Sequence, residues 1–400
     1  MEVELTMPHY KYLIIGGGMT ADAAVHGIRE MDAAGTIGLI SQEQEKPYDR
    51  PPLTKGLWKD KTLDSIWRHT ENERAGFHLG RKVETVDPQQ KRIVDDARNT
   101  YTYDKLLLAT GGRPRLLPFG EGQIIYYRTV ADYRRLRESA DQNKRFVVIG
   151  SGFIGSEIAA ALAMNQKEVT MVFPGKSICE RVFPQDLSQF LNSFYQEKGV
   201  KLLAGESATG LEARGAELRL KTKSGREVAA ATVVAGIGIQ PNIELAQAAG
   251  LKTDNGIIVD EFLRTTHPDI YAAGDVAAFQ SLALGQRIRV EHEDNAKTMG
   301  KVAGHNMAGK SEPYRHLPFF YSDMFDLGYE AVGELDSRLE IFADWKTPFR
   351  NGVVYYLRAG RVRGVLLWNV WGQVDAARAL VNEPGPFKPG DLKGRLPQQN

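Results

Sequence analysis

With 400 residues and 42% hydrophobic composition, the chain exceeds what one hydrophobic core organises and predicts two or three domains. Its 51 Lys+Arg against 50 Asp+Glu leave a net charge of +1, which removes the broad positive field of a nucleic-acid binder or a polybasic membrane protein. The single cysteine, Cys179, excludes an intramolecular disulfide and a two-cysteine relay, and fits a reducing cytoplasm, the expected location.

The opening stretch Met1 to Tyr12 carries acids among short apolar residues and lacks the layout of a signal peptide, and no later stretch approaches a membrane span. Tyr12-Leu13-Ile14-Ile15 reads as a buried strand. It runs into Gly16-Gly17-Gly18-Met19-Thr20-Ala21, a G-x-G-x-x-A turn, and a helix from about Ala21 to Met31. Free N–H groups and the helix dipole at such a turn favour a pyrophosphate. Gly38-Leu39-Ile40-Ser41 is the second strand. Glu43, just past it, is the acid expected to bind a ribose diol, with Gln42 one place earlier. A packing-only role for the glycines is the rival explanation.

The same unit recurs. Phe146-Val147-Val148-Ile149 leads into Gly150-Ser151-Gly152-Phe153-Ile154-Gly155, an alanine-rich helix to about Met164, and the strand Val169 to Phe173. Two such turns predict two dinucleotides bound face to face, the arrangement flavin reduction by a nicotinamide requires. After the second unit's strand come Pro174-Gly175-Lys176, with no ribose-binding acid. With Lys176 and Arg181 nearby, NADPH stays open beside NADH; a solvated loop is the rival for those cations. From about 200 to 235 the pattern becomes short polar-alternating strands, as in Glu217 to Lys223, an antiparallel excursion, and Gly256 to Val276 returns to β character.

Beyond Pro318 the composition shifts to Phe319-Phe320-Tyr321, strands at Leu339 to Ala343, Val353 to Arg358 and Arg361 to Trp368, and a helix near Val374 to Val381. Ala359-Gly360 reads as a tight hairpin turn. These make a small α+β C-terminal domain, followed by a loosely held tail from Asn382 to Asn400. The fold class is α/β, with two Rossmann-like dinucleotide-binding domains ahead of that domain. No metal site is expected.

Six segments then identify a relative. They are Pro47-Tyr48-Asp49-Arg50-Pro51-Pro52-Leu53-Thr54-Lys55; Leu107-Leu108-Ala109-Thr110-Gly111-Gly112; Arg128-Thr129; Gly236-Ile237-Gly238 before Pro241-Asn242; Tyr271-Ala272-Ala273-Gly274-Asp275-Val276; and Val290-Glu291-His292. On these, nearly the whole chain resembles the two-dinucleotide-binding flavoprotein superfamily. The branch holds ferredoxin and rubredoxin reductases, apoptosis-inducing factor and monodehydroascorbate reductase. Leu317 to Ser322 resembles the last of these, and Gly328 to Gly333 resembles apoptosis-inducing factor. The resemblance implies a glutathione-reductase-like architecture without the redox disulfide: an FAD domain at 1–118 and 248–318, an NAD(P) domain at 119–247 and an interface domain at 319–400.

By that resemblance, Lys55 stands beside flavin N5 with Glu157 as its carboxylate partner, and Arg50 binds the FAD phosphates. Asp275, after Gly274, caps the ribityl end. Glu291 and His292 open a helix aimed at the flavin N1 and O2 edge, and His292 joins Lys55 and Glu157 as a catalytic candidate. Gly16, Gly18, Ala21, Glu43, Val83, Ala109, Thr110, Gly111, Arg128 and Tyr321 are further FAD contacts. Gly150, Gly152, Phe153, Ile154, Gly155, Glu157, Lys176, Gly236 and Gly238 are assigned to NAD(P)H. Each has a plainer rival: a surface cation for Lys55, an N-cap for Asp275, a cap or packing residue for His292, packing for Phe153.

Thiol-dependent relatives need cysteine within Ser41 to Leu57, where this chain has none. Electrons are therefore expected to leave the flavin directly; the resemblance implies a ferredoxin-like iron–sulfur protein as the acceptor, with an ascorbyl-type radical or quinone as the alternative to it. Tyr321 stands where several relatives carry tryptophan, and Glu293 where some carry an apolar residue, so the acceptor is the open point. A redox-sensing interaction protein like apoptosis-inducing factor is the alternative from another class. Monomer and homodimer are both compatible with the sequence.

Overall fold

The computed structural model describes residues 7–215 and 217–397, so Met1–Thr6 of the opening stretch and the last three residues of the tail lie outside the described residues. The chain divides into two units. One holds the chain up to Arg50, Leu63–Arg113 and Gln240–Pro318; the other holds Pro51–Thr62, Pro114–Ile239 and everything from Phe319 onward.

In the first unit the strand His9–Ile15 lies between Ile37–Ser41 and Thr100–Leu108, parallel to both, with Leu13 opposite Gly38 and Leu106. Such strands are covered on both faces, which is why they read as unbroken apolar runs; Leu13, Ile14, Leu39, Leu106 and Leu107 are fully buried. The free edge of Thr100–Leu108 is shared. Arg92–Asp95 pairs with its start and Ile270–Ala272 with its end, so the late return of the chain completes the sheet. The helices Met19–Met31 and Glu293–Met307 cross at backbone contact. A Cβ on Gly27 would lie 2.3 Å from the Lys301 carbonyl, and one on Gly300 would lie 2.4 Å from that of Thr20. Beside the crossing, buried His305 bonds Glu30 through Nε2 and Glu312 through Nδ1, both at 2.7 Å.

In the second unit a five-stranded parallel sheet runs Lys201–Ala204, Glu168–Phe173, Arg145–Ile149, Thr232–Ala235, Ile124–Tyr126. The antiparallel excursion is Ala208–Arg214, Glu217–Thr222 and Glu227–Ala230. The segment Pro51–Thr62 is tied down by hydrogen bonds: the Tyr127 hydroxyl and Trp58 Nε1 both donate to the Leu53 carbonyl, and Asn165 Nδ2 donates to that of Trp58. The C-terminal antiparallel sheet runs Phe319–Met324, Leu327–Gly333, Arg361–Trp368, Asn351–Arg358, Glu340–Thr347, with the helix Val374–Asn382 following. Ala359 and Gly360 turn the hairpin at φ +50 and +72. The described part of the tail corrects the expectation of a loose end. Leu392 and Leu396 are buried, and the Gly394 N–H donates to Asp344, because two leucines in an otherwise polar stretch find apolar cover. Among the described residues no helix is long and apolar enough to cross a membrane, and no cluster of His, Cys, Asp and Glu fits a metal.

Candidate dinucleotide sites

Close approach of backbone to backbone builds the first site. Gly16 has φ +133, and a Cβ there would sit 2.1 Å from the Ala109 carbonyl, so only glycine lets the turn pass the strand end at Ala109-Thr110-Gly111. Asn242 fixes that strand end. Its Nδ2 donates to the Thr110 carbonyl at 2.8 Å, and its own carbonyl accepts from the Thr110 hydroxyl at 2.8 Å. Gly274, at φ +78, brings the Gly274–Val276 turn with Asp275 against the helix start, where a Cβ would be 2.2 Å from Thr20 Oγ1. Around Gly18, by contrast, nothing lies within 4 Å of a Cβ position, and the helix it opens has no side-chain cap. Open space at an uncapped helix start, led into by Gly16, Gly17 and Gly18, fits a pyrophosphate.

Glu43 lies past the second strand, where its two oxygens accept from the Tyr48 hydroxyl at 2.6 Å and from Arg50 Nη2 at 2.5 Å. Burial works against the Arg50 charge, but Tyr48, Glu43 and Asp275 outweigh it and hold the guanidinium above its ordinary value. Ala21 is buried in the first helix and Val83 opens the strand Val83–Asp87. His292 is the N-cap residue of Glu293–Met307, with Glu291 ion-paired to Arg289 just before it. Desolvation pushes the His292 imidazole down to about 4, against the pull of Asp275 and Asp294. It is therefore neutral at pH 7, and the positive potential there comes from the helix terminus.

The second unit carries the other glycine turn. Gly150, at φ +108, would put a Cβ 2.4 Å from the Gly236 carbonyl, and Gly155 would put one 2.3 Å from the Gly150 carbonyl. Gly152 repeats the open space and the uncapped helix start found at Gly18. Gly238 has φ +91 and its carbonyl accepts from the Arg115 N–H. Phe153 packs 5.3 Å from Phe320, centroid to centroid, beside the exposed Ile154. The Lys176 side chain is exposed, while its N–H is committed to Glu180. Cys179 lies under the turn, donating its N–H to the Ser151 carbonyl; burial pushes its thiol up to about 12.

The same unit holds a buried charged cluster. Lys55 Nζ lies 2.8 Å from Glu157 Oε1, and the hydroxyls of Thr54 and Ser322 each donate to the Glu157 carboxylate at 2.5 Å. Glu157 is 3% exposed, so three partners are what keep its charge inside the protein. The Lys55 ammonium also sits 5.4 Å from the centre of the Tyr321 ring. Thr54 and Ser322 escaped the sequence reading although both fall inside quoted motifs, Leu-Thr-Lys and Tyr-Ser. Of the remaining expected FAD contacts, Arg128, Lys55 and Tyr321 belong to this unit. Arg128 precedes Thr129, whose hydroxyl and Asp132 form a capping box for the helix Val130–Gln142.

Comparison with known proteins identifies the family. Residues 10–300 match the family described as pyridine nucleotide-disulphide oxidoreductase. The chain belongs to that family. This oxidoreductase is accordingly an FAD-dependent enzyme that uses a nicotinamide dinucleotide. Residues 303–348 and 344–383 further match the C-terminal region of mitochondrion-associated apoptosis-inducing factor. The oxidoreductase is 35% identical to "Apoptosis-inducing factor 1, mitochondrial" of Dictyostelium discoideum, over 95% of this chain and 80% of that one. It is also 35% identical to the ferredoxin–NAD(+) reductase component of the anthranilate 1,2-dioxygenase system of Burkholderia cepacia, over 92% and 93% of the two chains. Among solved structures, putidaredoxin reductase in its covalent complex with putidaredoxin superposes with a TM-score of 0.89 at 29% identity, covering 95% of each chain.

Proposed function

We propose that this oxidoreductase takes a hydride from NAD(P)H and passes the electrons one at a time to a ferredoxin-like iron–sulfur protein in the reducing cytoplasm. The observation that carries the reading is the pairing of two dinucleotide cradles with a lone, buried thiol, which leaves no disulfide relay between flavin and acceptor. The relatives named for ferredoxin reduction supply the acceptor class. Gly16, Gly18, Asp275 and Arg50 are assigned to hold FAD, and Gly150, Gly152 and Gly238 the nicotinamide dinucleotide. Bound FAD supplies a ring that accepts two electrons as hydride and releases them singly. Lys55, kept in place by Glu157, would supply fixed positive charge to a bound flavin, and the helix start at His292 would favour negative charge.

Anaerobic stopped-flow reduction followed by mixing with oxidised ferredoxin tests this. Fast bleaching of the flavin by a nicotinamide and stoichiometric ferredoxin reduction are expected; a flavin that neither dinucleotide reduces would overturn it. The C-terminal match at 303–383 favours a second reading, an NAD(P)H-responsive interaction protein with slow turnover. Reduced flavin that persists in air and a doubling of mass on NAD(P)H addition would decide for it.

A further inference from the structure

The strand Glu168–Phe173 ends at the place where a dinucleotide's adenosine ribose is normally met by an acid, and Pro174-Gly175-Lys176 brings none. A carboxylate arrives there from farther along the chain. Glu180 turns back over the loop so that its Oε2 accepts from the Lys176 N–H at 2.6 Å and from the Ser177 N–H at 3.3 Å. Its Oε1 lies over Gly175, where a Cβ would meet it at 2.3 Å; the absence of a side chain at 175 is what makes room. The loop is held from two other sides. Asn192 donates to the Lys176 carbonyl and accepts from the Ile178 N–H, and the Cys179 N–H donates to the Ser151 carbonyl within the glycine turn.

We propose that Glu180 takes the part of the missing strand-end acid and selects the unphosphorylated ribose, making NADH the donor. This rests on the reading of the second glycine turn as the nicotinamide-dinucleotide site. Two backbone donors take Oε2, so Oε1 is the oxygen turned to accept from a ribose hydroxyl. A 2′-phosphate carries about −1.5 to −2 charge, and beside a fixed carboxylate it is repelled. The exposed side chains of Lys176 and Arg181 are the cations that oppose this repulsion, and they are long and solvated where Glu180 is anchored.

The test compares binding of ADP-ribose and its 2′-phosphorylated form to the FAD-loaded protein by calorimetry, with flavin reduction by NADH and NADPH alongside. Wild-type protein is expected to bind ADP-ribose on the order of 50-fold more tightly. Glu180→Gln keeps an amide oxygen for the two N–H groups, removes the charge and turns the ribose-facing oxygen into an NH2 donor; it should compress that ratio at least about tenfold. Gly175→Ala displaces the carboxylate without altering its charge and should act in the same direction. Equal or tighter binding of the phosphorylated form by wild type, or an unchanged ratio in Glu180→Gln, overturns the assignment of Glu180 alone. Binding of neither ligand by protein that holds FAD overturns the reading of the site beneath it, and this proposal with it.

Discussion

Replacing Glu157 by glutamine keeps its shape and erases its charge, which leaves Lys55 without a carboxylate 2.8 Å away among side chains only 11% and 3% exposed. At an effective dielectric of about 20, the gross attraction across that distance is about 6 kcal/mol. Desolvation of the two ions offsets much of it, and the hydroxyls of Thr54 and Ser322 go on satisfying whatever occupies position 157. Each single change, Glu157→Gln or Lys55→Met, is therefore expected to destabilise the second unit by about 3 kcal/mol, since each strands a buried partner. The double variant should lose well under the sum, with a coupling of about 2 kcal/mol. Urea unfolding followed by tryptophan emission and far-ultraviolet circular dichroism measures all four corners of the cycle. Additive losses, with coupling below about 0.5 kcal/mol, would refute the claim that charge rather than shape holds Lys55 in place.

Gly16→Ala and Gly18→Ala should separate folding from cofactor retention. The first collides with the Ala109 carbonyl and should lose both stability and flavin; the second meets no protein atom and should unfold within about 1 kcal/mol of wild type while losing flavin absorbance near 450 nm. Equal flavin content in Gly18→Ala would remove the pyrophosphate from that turn. Cys179, with its thiol pushed up to about 12, is thiolate in only about one molecule in ten thousand at pH 8, so iodoacetamide should label it after denaturation and not before. Rapid labelling of the native protein would contradict its burial. Glu30 is held below its usual range by Lys301 and His305, and Glu312 by Lys310 and His305. Carboxylates depressed in this way contribute stability above their unfolded value of about 4.3, and the contribution disappears as pH falls through their lower native values. The melting temperature should therefore fall on acidification below about pH 4.5, and less steeply in the Glu30→Gln, Glu312→Gln variant; an identical acid limb in that variant would count against the clamp around His305.

What could be read from the sequence was local. The strand His9–Ile15 and its twin Arg145–Ile149 announce themselves as apolar runs ahead of glycine turns, and the hairpin at Ala359-Gly360 as a glycine-bearing pair between two strand runs. The helix opened by His292 was legible to within two residues. Contacts between distant segments left weaker marks. Thr54 and Ser322 are ordinary hydroxyl residues until folding brings them onto Glu157, 103 and 165 positions away. Glu180 likewise carries no signature, because the motif that predicts a ribose acid looks only at the end of the strand. The buried leucines at 392 and 396 were overlooked because the composition around them is that of a tail.

The glycine-lined crossing of Met19–Met31 with Glu293–Met307 joins an early helix to one that leaves the ribosome roughly 260 residues later. At synthesis rates of about 5–20 residues per second, the face of the early helix at Thr20, Ala23, Ala24 and Gly27 waits about 13–50 seconds for its partner. For most of that interval the sheet of the first unit lacks its strand Ile270–Ala272, and its uncovered apolar surface is open to non-native contact. Truncated chains that stop short of residue 293 should therefore aggregate even though they contain the complete first glycine turn.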